Sequence, residues 1–301
     1  MILCAGEALI DMLPCYNTTG GAAFAPHAGG SVFNTAIALG RLNTPVQFFS
    51  GLSSDLFGNI LLSELAASKV DSSPAHISNQ PTTLAFVTLV EGQATYAFYD
   101  ENTAGRMLET VNLPNTQADA VFFGGISLVV EPCASAYSAL IDQVSDTAVT
   151  MIDPNIRPSF ITNEAAYRTR LTNMLGKANI IKISDEDLKW ITGGTDATAL
   201  FQDTNAHVIL LTRGSKGVTV LTRDGTANVP AQKANLVDTV GAGDTFSAGF
   251  LSNLHDTGLL TKTLLPHTVM SDLIRAAAFG AKVAAITVSR AGANPPWASE
   301  L

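Results

Sequence analysis

The chain has 301 residues, 47% of them hydrophobic and only 14% charged, which suits one large domain with a deep core and excludes an intrinsically disordered chain. Its 17 basic and 26 acidic residues give a formal charge of −9, so nucleic acid and anionic membrane surfaces, which reward clustered Lys and Arg, are excluded as main partners. A small anionic ligand is not excluded, because backbone N–H groups bind phosphate without any lysine. The three cysteines (Cys4, Cys15 and Cys133) are odd in number and far apart, and read as reduced thiols. With no basic leader and no apolar run of about 18 residues, the expected setting is the cytoplasm, with no membrane partner.

In chain order, an apolar strand is predicted over 2–10, with Glu7 and Asp11 in or beside it. Residues 12–28 are polar, glycine-bearing and not helical. Val32, Thr35, Ala36 and Leu39 give helical spacing over 31–42, with Ser31 as its candidate N-cap. A short strand over 46–51 and a helix over 56–69 follow. Residues 84–90 and 94–99 read as two strands joined by Glu91-Gly92-Gln93, a tight-hairpin pattern. Buried strands are predicted over 119–125, 149–153, 179–183 and 208–212, then a further strand over 217–221. Long helices over 245–255 and 271–289 close the chain. The alternation predicts an α/β fold, a mostly parallel sheet covered by helices on both faces. Two segments break it, 12–28 and 84–100, and together they are expected to form a small β lid inserted into a domain made of 1–11, 29–83 and 101–301.

The most informative segment is Asp238-Thr239-Val240-Gly241-Ala242-Gly243-Asp244-Thr245-Phe246. Three small residues before a helix let backbone approach a ligand, and the helix start presents unpaired N–H groups with a positive dipole end. Gly241, Ala242 and Gly243 therefore suit an anion hole for a phosphoryl group in transit. A carboxylate beside phosphate makes sense if it takes a proton from an attacking alcohol, which makes Asp244 the candidate base. Taken alone, an isolated Gly-x-Gly-Asp reads more often as a helix cap than as a base. The chain carries no Walker A pattern, and Phe246 stands at the third glycine position of a G-x-G-x-x-G, which disfavours a dinucleotide site. His27, His76, His207, His255 and His267 show no metal-ligand spacing.

Residues 238–250 resemble the C-terminal signature of the ribokinase-like, pfkB-type carbohydrate kinases. Gly29-Gly30-Ser31-Val32-Phe33-Asn34 resembles their N-terminal signature. Further likeness runs through Gly6-Glu7-Ala8-Leu9-Ile10-Asp11, Asp153-Pro154-Asn155 with Arg157, Lys182-Ile183-Ser184-Asp185-Glu186 and Thr212-Arg213-Gly214-Ser215-Lys216-Gly217. The likeness is collinear over nearly the whole chain. It implies a doubly covered α/β sheet with a β lid, and transfer of the ATP terminal phosphate to a sugar hydroxyl. By resemblance, Asp244 is the base and the N–H groups of Ala242, Gly243 and Asp244 are the anion hole. Asp11, Gly29, Gly30 and Asn34 hold the sugar, Phe98 covers it and Arg157 meets the transferring phosphate. Thr212, Gly214, Gly217 and Lys182 lie along ATP, while residues 289–292 border adenine and ribose. Mg²⁺ is implied, with Glu186 and Asp187 near its waters, and Asp238 resembles a monovalent-cation site that would take K⁺. A homodimer through the lid is also implied.

Within the family, residues 6–11, Tyr96-Ala97-Phe98-Tyr99 and Lys182-Ile183-Ser184-Asp185 most resemble fructokinases. Asp100 stands where many relatives carry Arg, and its acidity argues against an acidic sugar such as 2-keto-3-deoxygluconate. Ribose, nucleosides and other sugars stay open as acceptors, because a few contacts of roughly 1–3 kcal/mol each separate them. A non-catalytic sugar- or nucleotide-binding protein on the same scaffold is the alternative from another class.

Overall fold

A computed structural model describes residues 1–90 and 93–301. In chain order the strands are β1 (Ile2–Ala5), β2 (Leu9–Tyr16), β3 (Ala22–Gly29), β4 (Val46–Phe49), β5 (Gly51–Ser53), β6 (His76–Ser78), β7 (Leu84–Val90), β8 (Gln93–Tyr99), β9 (Ala120–Gly124), β10 (Val149–Asp153), β11 (Ile180–Ser184), β12 (Val208–Thr212), β13 (Val218–Thr222) and β14 (Gly225–Val229). The helices are α1 (Ser31–Arg41), α2 (Leu56–Ala67), α3 (Cys133–Val144), α4 (Glu164–Leu175), α5 (Asp185–Thr192), α6 (Ala242–Asp256) and α7 (Met270–Thr287).

The central sheet has the order β14-β13-β12-β11-β10-β9-β1-β4. It is parallel from β4 to β12 and antiparallel only at the β12-β13-β14 edge. Its parallel strands are short and mostly apolar on both sides because both faces are covered, while the edge strand β14 is largely exposed. In β1, Leu3 and Ala5 enter the core beneath α3 and α4, while Ile2 and Cys4 enter the opposite core beneath α1, α6 and α7. Burying each aromatic of these cores, such as Phe122 or Phe250 at 0% exposure, contributes about 2–3 kcal/mol. Helices α6 and α7 pack backbone to backbone: a Cβ on Gly249 would lie 2.7 Å from the Gly280 Cα.

The strand expected over 2–10 is two strands. β1 stops at Ala5, and after Gly6-Glu7-Ala8 the chain enters β2, which pairs with β3 and β7 outside the central sheet. β8 pairs with β7 in turn, giving a four-stranded sheet β3-β2-β7-β8. Residues 12–28 thus extend as strands that begin at Leu9 and end at Gly29. Asp11 lies within β2 and not at the end of a core strand, and His27 lies directly opposite it in β3 and not in a loop. The turn expected at Glu91 and Gly92 lies outside the described residues. Ser31 is the first residue of α1 and not its N-cap; Gly30 takes that place at φ 109°, and a Cβ on it would meet the Glu7 carbonyl oxygen at 2.8 Å.

Candidate active site

Parallel strands β9 to β12 end at Gly124, Asp153, Ser184 and Thr212 along one edge of the sheet, the edge where parallel α/β sheets hold ligands. The four-stranded sheet faces this edge, and between them lies a cleft of about 300 Å³, the small end of ligand-pocket sizes. Residues from both regions line it: Asp11, Tyr96 and Phe98 from the lid, and Asn34, Lys182 and 241–244 from the core.

On the core side, Gly241 caps α6 in the left-handed region at φ 77°, where a Cβ would press within 2.7 Å of the Ala293 Cβ. The Ala242 N–H is engaged by the Thr239 carbonyl at 3.3 Å. No acceptor is found among the described residues for the Gly243 and Asp244 N–H groups. Of the three donors expected in the anion hole, two are therefore free to meet an anion. The Asp244 carboxylate is buried, 7% exposed, and held by α1: Ser31 Oγ donates to Oδ1 at 2.8 Å and Asn34 Nδ2 to Oδ2 at 2.9 Å. Burial raises its pKa, while the hydrogen bonds from Asn34 and Ser31 pull it back down. Asn34, expected to face the sugar, lines the cleft and gives one of its two amide N–H donors to Asp244.

Beneath this loop Lys182 Nζ donates to Asp153 Oδ2 at 2.8 Å, the two side chains 7% and 0% exposed. A Cβ on Gly243 would come within 2.9 Å of that ammonium, so glycine lets the charge sit close to the start of α6. Burial alone would discharge Lys182, and Asp153 more than offsets it, raising its pKa overall. The other Asp153 oxygen is buried with no hydrogen-bond partner among the described residues.

On the lid side, the register puts Asp11, Ala85 and Phe98 in one row, with Tyr96 on the same face. Asp11 receives no hydrogen bond from the described side chains or backbone outside its strand, and burial together with the Asp244 charge pushes its carboxyl up to about 6. Gly29 serves it from across the sheet, since a Cβ there would lie 2.3 Å from Asp11 Oδ2. Phe98 stacks on Tyr96 and meets Phe160 edge-on at 4.8 Å. Arg157 reaches the cleft with no carboxylate within ion-pair distance among the described residues, its guanidinium touching only the Asn155 and Ile156 carbonyls.

Over residues 1–300 the chain matches the pfkB family carbohydrate kinases. The chain belongs to that family. A fructokinase of Rhizobium leguminosarum bv. trifolii is 51% identical over 267 residues, covering 87% of this chain and 82% of that one. Probable fructokinase-4 of Arabidopsis thaliana is 32% identical over 314 residues, covering 100% and 94%. Fructokinase with bound ATP from Xylella fastidiosa superposes with a TM-score of 0.90 at 29% identity, over 97% of this chain and 93% of that one. The family resemblance and the ribokinase-like α/β fold are thereby borne out, and the chain is a carbohydrate kinase.

Other residues singled out in the sequence lie outside the cleft of this kinase. Thr212 ends β12, donating to the Ile183 carbonyl at 3.3 Å, and Gly214 and Gly217 shape the following turn at φ 51° and 86°. Asp238 clamps the loop to the end of the chain, accepting from Val240 N at 3.0 Å and Gly292 N at 2.9 Å. Glu186 is exposed, and Asp187 is buried with its carboxylate accepting from Ile156 N at 3.1 Å, steadying the segment that carries Arg157. Asp100 does not line the cleft. It accepts from Thr83 at 3.0 Å in a separate small cavity, so its acidity bears little on the choice of sugar. Two residues that sequence reasoning left without a site role, Glu7 and Ser31, do line the cleft. A lone carboxylate between two apolar strands was the available signal for Glu7.

Proposed function

We propose that this kinase transfers the terminal phosphate of ATP to a hydroxyl of fructose, with Asp244 as the base. The observation that carries the reading is one cleft holding a buried carboxylate at a helix start, two free N–H donors beside it and a second unbonded carboxylate, Asp11, across from it. In this reading Asp11 accepts hydrogen bonds from sugar hydroxyls and sets the acceptor hydroxyl against Asp244. Asp244 takes the proton as oxygen attacks, while Gly243 and Asp244 N–H groups receive the charge on the moving phosphoryl oxygens. Lys182 and Arg157 add positive charge on two sides of that path, and Tyr96 with Phe98 shields it from water. Thr212, Gly214 and Gly217 continue the same sheet edge towards the nucleotide. The fructokinase relatives support fructose as the acceptor.

Mg²⁺ fits the donors at this edge. Asp153 offers a buried carboxylate oxygen with no hydrogen-bond partner among the described residues, which suits an ion that keeps several waters. Asp153, with Glu186 and Asp187 on α5, would hold its waters, and the bound ion would neutralise phosphate charge. K⁺ beside Asp238 would stiffen the loop before α6.

A homodimer through the lid belongs to the same reading. Its outer face carries an edge-on cluster of Phe24, Phe86 and Tyr99, with Tyr99 63% exposed. No helix among the described residues is long and apolar enough to cross a membrane, and the three free cysteines support a cytoplasmic setting.

The test is ADP release with Mg-ATP against fructose, ribose, 2-keto-3-deoxygluconate, tagatose and adenosine, with and without K⁺. Turnover with fructose preferred is expected. Preference for another acceptor keeps the kinase and corrects the pocket, and silence from a folded protein favours a binding protein.

A further inference from the structure

Asp244 is held by a helix to which it does not belong, and that hold starts far away in the chain. Glu7, in the junction between β1 and β2, is 9% exposed and accepts the Ser31 N–H on Oε1 at 2.9 Å and the Ser127 N–H on Oε2 at 3.4 Å. The N-cap of α1 is glycine and offers no side chain, so a carboxylate from another segment satisfies the first helical N–H. The Ser31 hydroxyl then turns away from its own helix to Asp244 Oδ1, 213 positions on, while Thr35 Oγ1 donates to the Asp244 carbonyl at 3.2 Å.

We propose that Ser31, seated by Glu7, is a positioning residue that aims the Asp244 carboxylate into the cleft. The inference rests on Asp244 being the base. A serine serving only its own helix would bond a backbone group of α1; this hydroxyl bonds a carboxylate of α6. Its bond also favours the ionised carboxylate, working with Asn34 against burial. The charged groups around Asp244 are Asp11 from β2, Asp153 from β10 and Lys182 from β11. Asp100 and Arg106, with Cys133 and Tyr137 of α3, share the small cavity behind Glu7.

The experiment compares steady-state kinetics against pH for the full chain and for Ser31→Ala, Ser31→Thr and Asp244→Asn, with a melting curve for each. A hydrogen bond to a charged group is worth about a tenfold factor, so Ser31→Ala is expected to lower kcat roughly tenfold with both KM values within about twofold. The acid limb of kcat is expected to move to higher pH, because the carboxylate loses a donor that favours its ionised form. Ser31→Thr keeps the hydroxyl and is expected to restore both. A folded Ser31→Ala with unchanged kcat and an unmoved acid limb, beside an inactive Asp244→Asn, overturns the role of Ser31 alone. Wild-type turnover by Asp244→Asn removes the base, and this inference with it.

Discussion

The two sides of the cleft are built by opposite means. The core side is backbone: a left-handed glycine, a helix start and one carboxylate held from several directions, all resting on close-packed helices. The lid side is side chains on a twisted sheet that has a single layer, with one face on the cleft and an aromatic face left open. The difference teaches that chemistry and selectivity are separable here. Phosphoryl transfer needs a fixed geometry, whereas on the proposed function the choice of sugar would depend on adjustable contacts along β2 and β8.

The comparison is broken most directly at Asp244. Asp244→Asn is expected to reduce kcat by roughly 10²–10⁴-fold with little change in either KM, checked by ADP release. A large KM effect instead would place Asp244 with the binding groups. Next comes Lys182→Met, which strands the fully buried Asp153 carboxylate; a loss of about 3–5 kcal/mol of stability is expected by denaturant unfolding. On the lid, Phe98→Ala removes the Tyr96 and Phe160 contacts and is expected to raise the fructose KM about tenfold, with the ATP KM within about twofold. Equal rises in both would mean that the lid governs the nucleotide as well.

The smallest effect concerns Glu7, whose burial raises its carboxyl from the ordinary 4.5 to about 7. Between those values the folded chain binds the proton more tightly than the unfolded one, so the stability Glu7 contributes falls as pH rises. Glu7→Gln has no such dependence. Its melting temperature relative to the natural chain is therefore expected to become more positive from pH 5 to pH 8, and a flat difference would show that Glu7 is not desolvated.

The core side was largely legible because residues 238–250 resemble a family signature, where small residues before a helix alone would read as a cap, and because strands covered on both faces read as unbroken apolar runs. The lid was legible only as a break in rhythm. Gly6 and Glu7 interrupt the apolar run over 2–10, but they do not say where the chain goes next, since β1 and the start of β2 are both buried, and the departure is decided by tertiary pairing with β3 and β7. The hidden partners of Asp244 had the same cause. Ser31 looks like a cap in sequence, and only the close approach of α1 to α6 turns it towards Asp244. Asn34 was legible as polar in an apolar helix, but its partner lies 210 positions away.

At Gly249 and Gly280 the helices α6 and α7 meet backbone to backbone, with Phe246 and Val283 packed beside the contact. Two backbones in contact have no rotamers through which to slip, so the axial position of α6 is settled when the chain folds. On the proposed function, the helix start carrying Gly243 and Asp244 would meet each phosphate already in place, and the solvent-like rearrangement that would otherwise accompany every turnover would happen once in the lifetime of the molecule.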